Sequence, residues 1–486
     1  MADSEPGLNF IIVGASIAGL ASAIALKAAG HNVLVVEKEA QLGGPSSGFN
    51  GCARIPPNGC KILLDWGLDL SKAAMWPGFA LYRYESEELP GPDLLGLVRW
   101  NEELLNDAGA GYLLFRHKDL LRVLYEAAID SGRGTKAKET KPQVTVLFGA
   151  EVVDIDGDAC SITLKSGKVH TGDAIIGADG ARGVVRRLLM AEEDVEPESD
   201  APTGLVMYSV VIPKPLICKH GLNDMFVDDV ACSVWMGPHR GSMIWQVGEG
   251  DLAVSIYTPD SSQDGTWTEQ AEKKFTDVVG RCDVRMQKLA ALAENVTCVQ
   301  IKQPHKLESW VSESGRIIAL GEAAHPSPPA GLHPYSIALE DGAFIGKIFS
   351  HTRSPERIPE FFHAFQEHRE PRCSRIRDMD QEYVDVITLP DGEMQAGRDA
   401  GMRANHAAGR NAMDGDLDQM LDDFRMVFGY DANDDADEWW INWGRFKDAP
   451  ASANGLNGQG FFQTASFSTH VDLEEQEGYY DKEGED

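Results

Sequence analysis

Residues 9–37, NFIIVGASIAGLASAIALKAAGHNVLVVE, leave this chain few choices of fold. A short apolar strand (Phe10–Val13) meets a turn from Gly14 to Gly19. A helix of small residues follows, and a second strand (Asn32–Val36) ends at Glu37. Gly14 permits the tight strand-to-helix turn, while Ala18 and Gly19 let the helix lie close on a sheet. The helix N-terminus offers N–H groups and partial positive charge to a pyrophosphate. Glu37, 23 residues after Gly14, stands where a carboxylate takes both hydroxyls of an adenosine ribose. An acid there disfavours a 2′-phosphate, which favours FAD or NAD over NADP. Ser16 takes the middle position, so the fingerprint reads G-x-S-x-x-G. Strand, helix, strand and acid together predict a dinucleotide site, with a plain βαβ core unit as the alternative.

Length and charge narrow the rest. At 486 residues the chain can bury a large core in two to four domains. A formal charge of −32 argues against nucleic-acid binding, which needs a basic footprint, and against an anionic membrane surface. The eight cysteines include no CxxC pair and read as reduced thiols of a cytoplasmic protein. Leu8–Leu26 is apolar, but acids precede it and glycines interrupt it, so a signal peptide is not expected. No run suits a membrane span, and the histidines show no metal-ligand spacing, so no metal is expected.

Two more stretches carry chemistry. In 167–189, GKVHTGDAIIGADGARGVVRRLL, a strand–turn–helix holds a carboxylate and a guanidinium in its turn, Asp179-Gly180-Ala-Arg182. In 321–342, GEAAHPSPPAGLHPYSIALEDG, a strand leads into a tight turn at Glu322 and an apolar helix leads out.

This triplet, with Arg54-Ile-Pro-Pro-Asn58, Trp66-Gly67-Leu68 and VFGYDAND at 427–434, resembles the FAD-dependent aromatic hydroxylase family. These are single-component flavoprotein monooxygenases that include salicylate hydroxylase, and VFGYDAND resembles the end of fungal salicylate-hydroxylase-like members. The resemblance implies an α/β fold: a Rossmann-like FAD-binding domain interleaved with an α+β substrate domain carrying an antiparallel sheet, plus C-terminal helices. Segments 1–75, 105–200 and 295–350 would form the FAD-binding domain, and 76–104 and 201–294 the substrate domain. A helical region would cover 351–463 and an acidic, partly disordered tail 464–486. Alternating β-branched and aromatic residues at 203–258 suit the antiparallel sheet.

The implied activity is hydroxylation of an aromatic or related electron-rich small molecule, as in secondary metabolism, with NAD(P)H and O₂ through a flavin C4a-hydroperoxide. An oxidase or desaturase on the same scaffold, or a flavin- or metabolite-binding protein that has lost catalysis, are the other readings. FAD would be held non-covalently by a monomer or homodimer. Carried over by position, the FAD contacts are Gly14, Ser16, Ala18, Gly19, Glu37, Lys38, Gly51, Arg54, Asp179, Gly180, Arg182, Glu322, Leu332 and His333. In Arg116-His117 one of the two would meet the FAD: His117 stands at the family's Arg position, and the permanently charged Arg116 is the favoured contact. Glu322 stands where the family has Asp, and Leu332-His333-Pro334 where it has a Gly-Gln-Gly loop whose N–H groups meet the flavin. Pro334 lacks an N–H but suits the first position of a helix; His333 could supply a side-chain donor. His333, Pro329 and Arg54 are the candidate catalytic residues. Ser209, Trp235 and Trp245 are the candidate substrate contacts, Ser209 and Trp245 replacing an Arg and a Tyr of many fungal members.

Overall fold

The computed structural model describes residues 6–44, 51–85, 92–130, 142–196, 200–222, 226, 230–260, 270–329, 331–415 and 417–448. A compact unit spans Met1–Ile441, and a second begins at Asn442. The expected tail at 464–486 lies outside the described residues.

The chain opens with β1 (Asn9–Val13), α1 (Ile17–Ala28), β2 (Asn32–Val36), β3 (Cys52–Ile55), α2 (Pro57–Asp65) and β4 (Ala74–Met75). Next come β5 (Gly78–Arg83), β6 (Leu94–Arg99), α3 (Glu102–Asp107), β7 (Leu113–Arg116), α4 (His117–Ile129) and β8 (Val144–Leu147). A small antiparallel sheet of β9 (Val152–Asp156), β10 (Ser161–Leu164) and β11 (Val169–Thr171) precedes β12 (Ala174–Gly177) and α5 (Val184–Glu192). The middle of the chain holds β13 (Ala201–Ile212), α6 (Lys214–Lys219), β14 (Cys232–Gly237), β15 (Arg240–Val247) and β16 (Asp251–Pro259). After α7 (Phe275–Val279), α8 (Val284–Ala290), β17 (Thr297–Gln303) and β18 (Ile317–Ala319), the rest is helical: α9 (Pro334–Phe349), α10 (Ile358–Ile387), α11 (Glu393–Ala407), α12 (Leu417–Phe428) and α13 (Ala432–Asn442).

Five strands form a parallel sheet in the order β18-β12-β1-β2-β8. Its central strands are apolar on both faces, as a sheet covered on both sides requires. Helix α1 packs on α9 through small residues. A Cβ on Gly342 or Gly346 would come within 2.5 or 2.3 Å of the Ala21 or Ala25 Cβ, so glycine sets how closely these helices approach.

A second sheet of seven strands runs β17-β13-β16-β15-β14-β5-β6, antiparallel except where β14 meets β5. It contains the stretches expected at 203–258. The expected segment boundary at 294 moves past Gln303, because β17 hydrogen-bonds to β13 rather than to the parallel sheet. One face, with Met207, Trp245 and Tyr257, joins the core of the parallel sheet. The other, with Tyr208, Trp235 and Ile256, closes a separate core against α7 and α8. Between the sheets, β7 pairs with β3 and β4.

Candidate active site

The C-terminal ends of β1, β2 and β12 open on a cavity of about 530 Å³. Here the chain is shaped closely enough for a dinucleotide to be tested against it. Gly14 sits at φ +103°, and a Cβ there would lie 2.4 Å from the Ala178 carbonyl oxygen. Ser16 caps α1: its Oγ accepts from the Gly19 N–H (3.2 Å) and donates to the Ala178 carbonyl (2.9 Å). The serine in place of glycine therefore ties the β1 turn to the β12 turn. Glu37 accepts from the Ala15 N–H (2.8 Å) and the Glu39 N–H (2.9 Å), and its carboxylate keeps lone pairs for hydroxyls. Asp179 accepts from the Val185 N–H (3.2 Å) with one oxygen, while the other has no partner. Burial pushes this carboxyl up to about 6, against the pull of the N–H groups of α5. A glycine cradle, a helix N-terminus, a fixed ribose-type acid and the cations Lys38 and Arg182 in the lining fit FAD.

Gly14, Ser16, Ala18, Glu37, Lys38, Arg54, Asp179, Gly180, Arg182 and Glu322 all line this cavity. Gly19 serves packing, since a Cβ there would lie 2.1 Å from the Gly14 carbonyl oxygen. The Gly51 carbonyl accepts from the His117 N–H (2.9 Å).

The Arg116 expectation is corrected. Cys52 pairs with Arg116 and Arg54 with Leu114, so Arg54 and Arg116 share the face of β3 and β7 that meets the seven-stranded sheet. Arg116 reaches Asp251 of β16 (2.5 Å). The next residue, His117, turns into the cavity instead, and burial lowers its imidazole to about 4.

Glu322 sits in a tight turn, Gly321–Ala323, held by a buried polar network. Asp341 Oδ2 accepts from the Gly321 N–H (2.8 Å) and from His325 Nε2 (2.7 Å), and Arg369 Nε donates to its other oxygen (3.0 Å). Glu340 takes Arg369 and Arg372 (2.8 and 2.7 Å). Burial disfavours the His325 cation, but Cys373 and the Asp341 carboxylate outweigh it and hold His325 up to about 10. His325, Asp341 and Cys373 are close enough to offer ligands to one ion, yet Asp341 already holds the turn together. Burial also pushes the Glu322 carboxyl up, against the nearby His325 charge.

The loop after the turn differs most from expectation. The Leu332 and His333 N–H groups do not face the cavity. Both donate to Asp380 of α10 (2.8 and 3.2 Å), as the His333 ring does through Nδ1 (2.9 Å). Tyr112 Oη donates to the Leu332 carbonyl (3.1 Å) and Tyr257 Oη to the Pro329 carbonyl (2.7 Å). Leu332, His333 and Pro329 thus brace the wall from behind, while Ser327, Pro328, Pro334 and Tyr335 form its surface.

Of the substrate candidates, Trp245 packs beside Arg54, whose guanidinium carbon lies 5.4 Å from its ring centroid. Ser209 shares the inner face but not the cavity wall, with Oγ 3.4 Å from Ser255 Oγ. Trp235 does not join them. It lies on the opposite face, stacked on Tyr82 (4.5 Å) with Arg285 over its ring (5.1 Å). Sequence reasoning weighed His117 but favoured Arg116, and it missed Tyr335 and Asp380. Asp380, 47 residues beyond His333, carried no local signal.

Comparison with known proteins agrees with this geometry. Residues 12–73 match the model of the NAD(P)-binding Rossmann-like domain. The chain is 25% identical to the FAD-dependent monooxygenase OpS4 of Beauveria bassiana, over 82% of this chain and 89% of that protein. It is 26% identical to 3-hydroxybenzoate 6-hydroxylase of Polaromonas naphthalenivorans, over 77% and 87%. The fold is shared with CtdE, solved with FAD and a substrate (TM-score 0.69, 16% identity, covering 91% of this chain and 100% of that one). Relatives over most of the chain, the shared fold and the dinucleotide cleft lead to one conclusion: the chain is similar over most of its length to the FAD-dependent aromatic hydroxylases, which are flavoprotein monooxygenases.

Proposed function

We propose that this chain uses FAD, NAD(P)H and O₂ to hydroxylate an aromatic or similarly electron-rich small molecule. One observation carries the reading. The cleft lined by Gly14, Glu37 and Asp179 is also lined by Glu322, Pro334, Tyr335 and Arg54, and Arg54 packs against Trp245 of an aromatic cluster. There Trp245 lies 4.8 Å from Trp76, and Trp76 lies 4.3 Å from Tyr112. A dinucleotide lying in the cleft would bring its reactive end to a dry aromatic region. Relatives named for hydroxylating 3-hydroxybenzoate or hispidin support an aromatic substrate.

FAD, once bound, would supply the hydride-accepting and O₂-activating chemistry. The chain does the rest. Gly14, Ser16 and the α1 N-terminus would hold the pyrophosphate, Glu37 the ribose, and Glu322 the ribityl hydroxyls. The Asp380-braced loop and the aromatic cluster keep water from the reacting ring.

An oxidase or desaturase is the second reading, favoured by a single feature: the Leu332 and His333 N–H groups are already bound to Asp380. A screen of phenols and aromatic acids for stimulated NAD(P)H oxidation, followed by mass spectrometry of the product formed under ¹⁸O₂, separates the two. A product heavier by one labelled oxygen atom supports hydroxylation. A product two hydrogens lighter, with the label only in hydrogen peroxide, supports the second reading.

A further inference from the structure

The hairpin of β5 and β6 brings two tryptophans together. Gly78 pairs with Arg99, so Trp76 and Trp100, just outside the paired residues, meet with ring centroids 5.2 Å apart and planes nearly perpendicular. Trp245 of β15 packs against Trp76 at 4.8 Å, which makes an unbroken series of three indoles. Its inner end is at the cavity, where the guanidinium carbon of Arg54, a lining residue, lies 5.4 Å from the Trp245 ring centroid. Its outer end is nearer solvent: Trp245 and Trp76 are each 1% exposed, whereas Trp100 is only partly buried.

Packing alone does not call for indoles here. Trp245 and Trp100 each bury Nε1 without an acceptor; a buried donor left unsatisfied is destabilising, and phenylalanine would fill the space without that cost. What an indole has and a phenyl ring lacks is ready loss of one electron. The surroundings give such a loss a direction. A positive hole on Trp245 is repelled by the permanently charged guanidinium beside it. On Trp76 the indole N–H donates to the Gly78 carbonyl (2.8 Å), whose negative end favours a positive ring. None of the three nitrogens meets a base, so the hole moves as charge without loss of a proton. Tyr112 touches Trp76 and Trp100 (4.3 and 5.5 Å), but its Oη donates to the Leu332 carbonyl (3.1 Å) and burial holds the phenol well above its ordinary value. A phenol is readily oxidised only as it gives up its proton, so the hole stays on the indoles.

We propose that Trp245, Trp76 and Trp100 form a one-electron path that carries an oxidising hole from the flavin cavity to the surface, where a small soluble thiol discharges it. The proposal rests on the FAD-dependent reading above and adds a second activity to it, protection of a site that handles O₂ from its own oxidants. The oxidant is a one-electron oxidant formed at the flavin, or the flavin itself when excited by light. It gains one electron from Trp245, which regains one from Trp76, and Trp76 regains one from Trp100. At Trp100 a thiolate supplies the electron, and over two turnovers two thiyl radicals join as a disulfide. No bond within the protein forms or breaks.

The test uses FAD-loaded protein under blue light, so that the excited flavin is the oxidant. After a flash, transient absorption should show a tryptophan radical in wild type that lives at least tenfold longer than in Trp76→Phe or Trp100→Phe. Trp235→Phe, on the opposite face of the sheet, should leave that lifetime unchanged. Peptide mapping gives an independent readout. Steady illumination in air should oxygenate Trp100, and added glutathione should suppress the mark. Trp76→Phe should remove the mark from Trp100 but leave it on Trp443, which is 71% exposed and reports oxidation from solvent. If Trp76→Phe does not fold, the lifetime in Trp100→Phe, altered at a partly exposed position, decides alone. Equal lifetimes in wild type and the path variants, or a Trp100 mark that persists in Trp76→Phe, overturns the proposal and leaves the FAD reading standing. A wild-type chain that takes up no FAD refutes the underlying reading, and this inference with it.

Discussion

Replacing Asp380 tests whether the rewritten loop is held from behind, as the structure has it. The Asp380 carboxylate is 1% exposed and accepts three hydrogen bonds, from the Leu332 N–H, the His333 N–H and His333 Nδ1. A buried donor left without its acceptor costs about 1–3 kcal/mol. Asp380→Ala orphans three, so a net loss of about 4 kcal/mol is expected once water fills part of the space. Asp380→Asn keeps the oxygen that serves Leu332 and the His333 ring but turns an amide against the His333 N–H, and should cost about 2 kcal/mol. Unfolding entropy of about 2.1 cal/mol/K per residue over the unit Met1–Ile441 amounts to roughly 0.9 kcal/mol/K. The expected falls in Tm are then roughly 4 °C for Ala and 2 °C for Asn. Differential scanning calorimetry of the FAD-free protein reads them directly. A fall below about 1 °C for Asp380→Ala, or equal falls for both variants, would refute the bracing role.

Other expectations come from single contacts. Asp179 has its carboxyl raised from 3.8 to about 6, chiefly by burial. Its contribution to stability is thus fully present below pH 3.8 and lost as pH rises through 6. Asp179→Asn should remove that loss, and FAD-free variant should gain on wild type by up to about 3 kcal/mol between pH 4 and 7 in urea unfolding. Arg116→Ala breaks the pair with Asp251 and should lower stability by about 1–3 kcal/mol with the FAD dissociation constant unchanged; a tenfold weaker FAD complex would return Arg116 to the cofactor. Gly14→Ala forces a Cβ to 2.4 Å from a carbonyl oxygen at φ +103°, and equilibrium dialysis should find FAD affinity reduced at least a hundredfold; near-normal affinity would show that the turn can shift.

Where a function needs only local periodicity, the residues disclosed it. The strand–turn–helix at Gly14, the turn at Asp179 and the turn at Glu322 stand in one cleft because each is a strand end in the same parallel sheet. Failures arose where one residue of parity decides a face. Arg116 closes β7 and His117 opens α4, so adjacent side chains look opposite ways. Trp235 and Trp245 were indistinguishable by pattern, because both faces of β14 are buried and alternation vanishes when each face has its own core. The role of Leu332 and His333 depends on an acid from α10, which no spacing within the loop could reveal.

The most direct test is the visible spectrum of the purified protein, with FAD quantified after release. The account requires oxidised-flavin bands at about one FAD per chain, or full recovery of that content on adding FAD to colourless protein. A folded chain that remains colourless after such reconstitution would contradict the assignment of the Gly14–Glu37–Asp179 cleft as a flavin site.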